Sequence, residues 1–169
     1  MDRSRTAYGG VIYRAVSDFT AKGRVQYVAH AVMSNDVAVA IGPQTESAST
    51  GESAENHPDR EFWAQRKLLS LAELQAKCGS KTASIDHIEI DCTLTPCEKS
   101  GYKGCLHQIP PLVKARYGDN VKLTVFSHRD EGMGGKDGKP KRYLTCKSNS
   151  STSELTAAFA DHKGWDWTA

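Results

Sequence analysis

Residues 85–94 read IDHIEIDCTL, and polar and apolar side chains alternate from His87 to Leu94. The apolar positions are Ile88, Ile90, Cys92 and Leu94. The polar positions are His87, Glu89, Asp91 and Thr93. A period of two residues is typical of a β-strand with one face in the core. The segment therefore predicts a strand, and it runs directly into Thr95-Pro96-Cys97.

The segments on either side of this strand predict helices. Residues 57–79 repeat apolar side chains at helical spacing and begin near Pro58, so they predict one long helix. Residues 95–118 predict a helix in their second part. Pro110 and Pro111 are expected to interrupt or restart that helix, because proline lacks the N–H group that a helix interior uses.

Further strands are predicted towards both ends of the chain. They are residues 9–16 and 25–34, joined as a hairpin, and then 37–42, 121–128 and 141–148. Residues 37–42 either extend the second strand or form their own. Residues 152–164 predict a C-terminal helix, since they open like a capping box. The order of elements predicts an α/β fold of three layers, with a mixed central sheet of about five strands and flanking helices.

Composition excludes several classes of protein. The chain has 169 residues, of which 38% are hydrophobic and 25% charged, close to a soluble globular average. Segments 42–56 and 131–140 are typical of surface loops, so one domain spanning residues 1–169 is expected. The net charge of +2 indicates no particular partner. No apolar run approaches the roughly 20 residues of a membrane span, and residues 1–15 lack the apolar core of a signal peptide.

Cysteines at a strand end suggest a metal site. The chain has five widely spaced cysteines, which does not suggest a disulfide framework. Cys97 and Cys105 lie where the strand ends and a helix begins, and the positive end of a helix favours thiolate. Two thiolates there can share one Zn²⁺ if the loop folds back. The gap is longer than the usual two to four or so residues, so two ordinary half-buried cysteines remain an alternative.

A histidine at the start of the first predicted helix supplies a third candidate ligand. His57 opens that helix, and Asp59 and Glu61 follow it closely. A carboxylate beside a zinc-bound histidine can shuttle protons from a water molecule. The alternative is a plain helix start, at which acidic residues interact favourably with the helix dipole.

Together, His57-Pro58-Asp59 and Pro96-Cys97 to Cys105 resemble the zinc-dependent cytidine and nucleobase deaminases, whose signature is H-x-E followed by P-C-x-x-C. The predicted order of elements from residue 9 to about residue 128 is also similar to that fold. The resemblance is closest to the toxin deaminases of bacterial polymorphic secretion systems. It implies that His57, Cys97 and Cys105 bind Zn²⁺, with water in the fourth position.

The resemblance also implies a reaction and a setting. Water replaces the amino group of cytosine in nucleic acid, DNA in preference to RNA, and uracil and ammonia are formed. Asp59 or Glu61 transfers the proton. An interbacterial toxin domain is the C-terminal fragment of a larger secreted protein, acts in the target-cell cytoplasm and is neutralised by a cognate immunity protein. That setting fits a chain that has no signal peptide of its own and no membrane partner.

Departures from the signature leave other interpretations open. Asp59 stands where the family has Glu, and its carboxylate is one methylene shorter. In another alignment Trp63-Ala64-Gln65 takes the place of His-Ala-Glu, which predicts an inactive deaminase-fold module that binds nucleic acid or a protein. A third alignment, Ser53-Ala54-Glu55, keeps the Glu but loses the ligand. We prefer His57, because it lies at the helix start.

A purely structural zinc site is a further alternative, in which His107 or Cys92 completes four protein ligands. The remaining histidines, His30 and His87 among them, are interpreted as structural residues. Cys78, Cys92 and Cys146 are interpreted as small core or helix-end residues.

Two basic segments are candidates for contact with nucleic acid. Lys99, Tyr102 and Lys103 lie between the two cysteines, where a base could stack on the ring and the lysines could meet phosphate. Lys141 and Arg142 belong to the densest basic stretch of the chain and could follow a phosphate backbone. The alternative for both segments is a solvated polar loop.

Overall fold

The computed structural model describes residues 25–47, 58–94, 105–129, 142–160 and 163–164. The strands in these ranges are β1 (Val25–Met33), β2 (Ala38–Ala40), β3 (Thr45–Ser47), β4 (Ile85–Leu94), β5 (Lys122–Arg129), β6 (Arg142–Lys147) and β7 (Lys163–Gly164). The helices are α1 (Pro58–Ala64), α2 (Leu71–Cys78), α3 (Cys105–Tyr117) and α4 (Thr152–Ala160). None of these helices has the length and apolar character required to cross a bilayer.

All described strands belong to one mixed sheet in the order β2-β1-β4-β5-β6-β7, and β3 also pairs with β1. The pair β4–β5 is parallel and every other pair is antiparallel. A parallel pair needs a long crossover, and α3 lies within that connection. The predicted α/β class and mixed sheet are confirmed. The described sheet has more strands than the five or so predicted, because the short strands β3 and β7 join it.

One face of the sheet carries the main core. Ala29, Ile90 and Val125 pair across β1, β4 and β5 and are all buried. The helices pack their buried side chains into the same cluster, namely Phe62, Trp63, Leu74, Cys78, Ile109, Val113 and Leu155. The predicted apolar face of β4 is therefore confirmed at Ile88, Ile90 and Cys92.

The first hairpin in the described chain joins β1 to β2. Residues 37–42 thus contain a separate strand rather than an extension of β1. The turn places Asp36 at φ 71°, a conformation that a short polar residue adopts more easily than most. The predicted strand 9–16 lies outside the described residues.

The prediction of one long helix over 57–79 was wrong, since α1 ends at Ala64 and α2 begins at Leu71. Between them the Leu69 N–H donates to the Ile41 carbonyl at 2.9 Å. Ser70 then starts a new helix with a capping box, in which its hydroxyl accepts from the Glu73 N–H. Tertiary packing and a local cap together override the helical spacing.

Gly42 packs closely against the segment between α1 and α2. A Cβ atom at that position would lie 2.6 Å from Cδ2 of Leu68, whose side chain is buried. We expect Gly42→Ala to lower the free energy of unfolding by about 1–3 kcal/mol through overpacking. Chemical denaturation measures this change. In a Leu68→Ala background the same substitution should have little effect, and an equal loss in both backgrounds would contradict the assigned contact.

Helix α3 contains both Pro110 and Pro111. The prediction that Pro110 and Pro111 interrupt a helix was wrong, because α3 continues through both. Their missing N–H groups leave only the carbonyl groups of the preceding turn without an intrahelical donor.

The predicted capping box of the C-terminal helix is confirmed, since the Ser151 hydroxyl accepts from the Glu154 N–H at 3.2 Å. That helix ends at Ala160, before the predicted end at residue 164.

Candidate functional site

The predicted site residues fall partly outside the described chain. Those outside it are His57, Cys97, Lys99, Tyr102, Lys103 and Lys141. Three others are placed by their backbone: Asp59 is the second residue of α1, Cys105 the first of α3 and Arg142 the first of β6. Glu61 lies in α1 with its side chain exposed. The zinc site and the roles of Asp59 and Glu61 therefore remain predictions.

An aromatic cluster fixes α1 above the carboxyl end of β4. The Trp63 indole N–H donates to the Tyr27 hydroxyl at 2.7 Å, in a buried position. The ring centroids of Tyr27 and Phe62 lie 5.3 Å apart. Tyr27 pairs with Cys92, two residues before the end of β4. Helix α1, which begins directly after His57 in the sequence, is therefore held near the carboxyl end of β4.

Helix α3 packs beside α1. It connects the carboxyl end of β4 to the start of β5, which runs parallel to β4. At its far end the Tyr117 hydroxyl donates to the Leu69 carbonyl at 2.5 Å. The start of α3 at Cys105 is thus directed towards the carboxyl end of β4. In an open α/β sheet this is the end at which ligands bind.

The second face of the sheet carries a buried polar cluster, which we call the His–acid cluster: His30, His87, Glu89 and Asp91. Glu89 and Asp91 are each 1% exposed, although alternation in β4 predicted only that they lie opposite the apolar side chains. His30 pairs directly with Glu89 across β1 and β4. The interpretation of His30 and His87 as plain strand residues missed this cluster. The sequence did contain a signal for this cluster, because the titratable residues at 87, 89 and 91 alternate with apolar residues and so share one face of the strand.

His87 binds a carboxylate with each ring nitrogen. Nδ1 lies 2.8 Å from Asp86 Oδ2, and Nε2 lies 2.9 Å from Glu89 Oε1. Both nitrogens can donate only when the ring is protonated. Burial lowers the pKa of His87, but the hydrogen bonds to Glu89 and Asp86 outweigh it, so the pKa is raised above 6.5. Burial lowers the pKa of His30 below 6.5, and Asp91 opposes that change.

The contributions of His87 and His30 to the free energy of unfolding change in opposite directions with pH. Because the pKa of His87 is raised, its contribution is fully present below pH 6.5 and is lost as the pH rises through its folded pKa. The contribution of His30 is present above pH 6.5 and is lost as the pH falls through its folded pKa. We expect the difference in unfolding free energy between wild type and His87→Gln to shrink with rising pH. His30→Gln is the control and should give the opposite slope; equal slopes would contradict the assignment.

The donor set of the predicted zinc site matches the metal. One imidazole and two thiolates leave a fourth position open, which is typical of catalytic zinc. Among the residues that the structure describes, no group of three or more His, Cys, Asp or Glu side chains could hold a metal ion. The His–acid cluster therefore carries no metal proposal. Cys78 and Cys146 are free thiols, buried and half-buried respectively, as their interpretation as structural residues predicts.

Comparison with known proteins gives no relative: no protein-family model matches the chain, and no curated protein or solved structure is significantly similar to it.

Proposed function

We propose that the chain is a zinc-dependent hydrolytic deaminase that converts cytosine to uracil in nucleic acid, acting as a toxin domain. The observation that supports this best is the convergence of three segments at the carboxyl end of β4. These are the α1 helix held over Cys92, the chain leaving β4 at Leu94, and the α3 helix starting at Cys105. Each segment borders or contains one candidate ligand.

Each candidate ligand lies in, or close along the chain to, one of these three segments. His57 is bonded to Pro58, the first residue of α1. Cys97 follows Leu94, the last residue of β4, by three residues along the chain. Cys105 starts α3, which packs on α1. The elements that border or contain the candidate ligands thus lie together, which supports a shared metal ion.

The residues then have separable roles. His57, Cys97 and Cys105 would hold the ion, and Zn²⁺ would supply there a Lewis acid that lets water act as nucleophile at neutral pH. Asp59 would take one proton from the attacking water and deliver it to the ring nitrogen of cytosine. It would then take the second proton, from the hydroxyl group formed at C4, and deliver it to the amino group, which leaves as ammonia. The overall change is cytosine plus water to uracil plus ammonia, so no other reactant is consumed.

An inactive binding module is the second candidate, and Trp63 bears on it. The alternative alignment puts Trp63 in the position of the ligand histidine. Its side chain is 5% exposed and bonds to Tyr27 in the core. Trp63 therefore has a structural role of its own that accounts for its presence. This favours His57 as the start of the signature.

The test is an assay of uracil formation by the zinc-loaded protein on single-stranded DNA, duplex DNA, RNA and free cytidine. We expect uracil from at least one polynucleotide and one zinc ion per chain. Bound zinc with no deamination of any of the four substrates would favour the inactive module. Absence of zinc after purification and reconstitution would overturn the proposal.

A further inference from the structure

Strand β2 forms one edge of the described sheet, and β1 is the described strand that pairs with it. The Ile41 N–H donates to a carbonyl of β1, and the Val37 carbonyl accepts from an N–H of β1, each at 2.9 Å. Hydrogen-bonded pairs alternate along an antiparallel ladder, so Val39 also bonds to β1. Ala38 and Ala40 therefore direct their N–H and carbonyl groups outward, where no described residue bonds to them.

This edge lacks the features that normally keep a strand from pairing with another chain. Residues 37–42 contain no charged residue and no proline, whereas charged side chains and proline are the usual protection of an edge. Strand β7, at the other end of the strand order, begins with Lys163. The exposed Ala40 shows that neighbouring elements leave the edge of β2 accessible. Its free backbone groups are thus a template for a further strand.

Exposed apolar side chains lie beside the same edge. Within the described ranges, three large hydrophobic side chains are more than a third exposed: Val37 at 39%, Leu71 at 42% and Leu112 at 43%. Val37 directly precedes β2. Leu71 follows Leu69 by two residues, and the Leu69 N–H donates to the Ile41 carbonyl just beyond β2. Two of the three therefore adjoin β2, one at each end of the strand.

The sequence of the edge is complementary to itself. Residues 37–41 read VAVAI, with an alanine on each side of Val39 and a β-branched residue at each end. A two-fold axis at Val39 places Ala38 opposite Ala40 of a second copy, and Ala40 opposite Ala38. These are the residues whose backbone groups point outward, so each of the two pairs can exchange two hydrogen bonds.

The same register brings the exposed apolar side chains together. It places Val37 opposite Ile41 of the second copy, and Ile41 is the residue to which Leu69 is bonded. Val37 of each copy therefore lies beside the segment 69–71 of the other. One arrangement satisfies the outward backbone groups and shields apolar surface at both ends of β2.

We infer that β2 pairs antiparallel with β2 of a second copy of this chain, so that the two sheets join across a two-fold axis. The edge is short, so we expect a weak dimer with a Kd in the micromolar range or above. Val32 pairs with both Ala38 and His87, which puts β2 beside the start of β4. The contact lies away from the carboxyl end of β4 and is independent of the proposed function.

The test is the oligomeric state of the full chain, measured by sedimentation velocity from micromolar to millimolar concentration. The wild type should shift from the monomer mass of 18.5 kDa towards twice that mass. Ala40→Pro removes an outward N–H without removing a bond to β1, and proline is tolerated on edge strands. We expect it to weaken the dimer by at least about tenfold. Ala40→Ser, which keeps the N–H, should dimerise like the wild type.

Val37→Glu is a second variant, which does not depend on proline fitting the strand. It places a charge where the second copy is apolar, so it should remain a monomer. Leu112→Glu is its matched control, because Leu112 is similarly exposed but lies on α3, and this variant should keep the dimer. Circular dichroism and thermal denaturation check that each variant is folded.

Amide hydrogen exchange by NMR tests the register. The Ala38 and Ala40 amides should exchange quickly in the monomer and become protected as the concentration rises. The Val39 and Ile41 amides, which bond to β1, should be protected throughout. A monomer at every concentration, a dimer that persists in both Ala40→Pro and Val37→Glu, or a dimer without protection of Ala38 and Ala40 would each overturn the inference.

Discussion

Cys97→Ser is expected to reduce bound zinc from one ion per chain to almost none, and uracil formation to the level of the zinc-free protein. A serine hydroxyl stays protonated at neutral pH, whereas a cysteine bound to zinc is a thiolate about 2.3 Å from the metal. Zinc content by mass spectrometry and the uracil assay measure the two losses. The result would assign a ligand to the loop that leaves β4.

Cys146→Ser is the matched control for that variant. Cys146 is a half-buried free thiol on β6, and burial raises the pKa of this thiol to about 12. Its thiol therefore stays protonated at neutral pH, and it is not among the predicted ligands. This variant should keep both zinc and activity. Full zinc in Cys97→Ser, or equal zinc loss in both variants, would contradict the assigned ligand.

The acid–base step can be separated from metal binding by Asp59→Asn. We expect this variant to keep its zinc and to lose about 10²–10⁴-fold in kcat, the range typical of removing a proton-transfer group. Glu61→Gln is the comparison, because Glu61 is an exposed carboxylate on the same helix. If Glu61→Gln causes the large loss and Asp59→Asn does not, the acid–base role belongs to Glu61.

Trp63→Ala is expected to lower the free energy of unfolding by about 3–5 kcal/mol, the largest loss of stability that we predict. The indole is buried, packs edge-on against Phe62 with centroids 5.3 Å apart, and donates to Tyr27. Removing it leaves a cavity between α1 and β1 and removes a buried hydrogen bond. Thermal and chemical denaturation measure the change.

Trp63→Phe tests which part of that loss comes from packing. It keeps most of the buried area and removes the N–H donor, so about 1 kcal/mol should be lost. Trp63→Phe keeps α1 packed on the core, so this variant should also keep the zinc ion that the proposed site binds. An unchanged stability in Trp63→Ala would contradict the aromatic cluster as the attachment of α1.

Part of the fold could be predicted from local pattern. The pattern of apolar and polar residues in 85–94 was enough to predict the limits and the apolar face of β4, because such a pattern depends only on neighbouring residues. The break at residues 65–70 could not be predicted in the same way. It depends on Leu69 reaching Ile41 and on Leu68 packing against Gly42, both more than twenty residues away in sequence. Local spacing carries no information about such contacts.

The candidate site shows a similar division. Each half of the signature was visible as residue types near a predicted helix start. The proposal that the two halves meet rests on β4 pairing with β5 in parallel and on α1 packing over Tyr27, and neither contact could be predicted from local sequence. The His–acid cluster was missed because alternation suggests one solvated face. Glu89 and Asp91 are instead buried on that second face.

Zinc K-edge X-ray absorption on the purified protein would measure the ligands of the bound metal. We expect two sulfur ligands at about 2.3 Å, one imidazole nitrogen at about 2.0–2.1 Å, and one oxygen from water in the fourth position. The nitrogen signal should disappear in His57→Ala. A shell of four protein ligands, such as three sulfurs and one nitrogen, would contradict a catalytic site and would favour structural zinc.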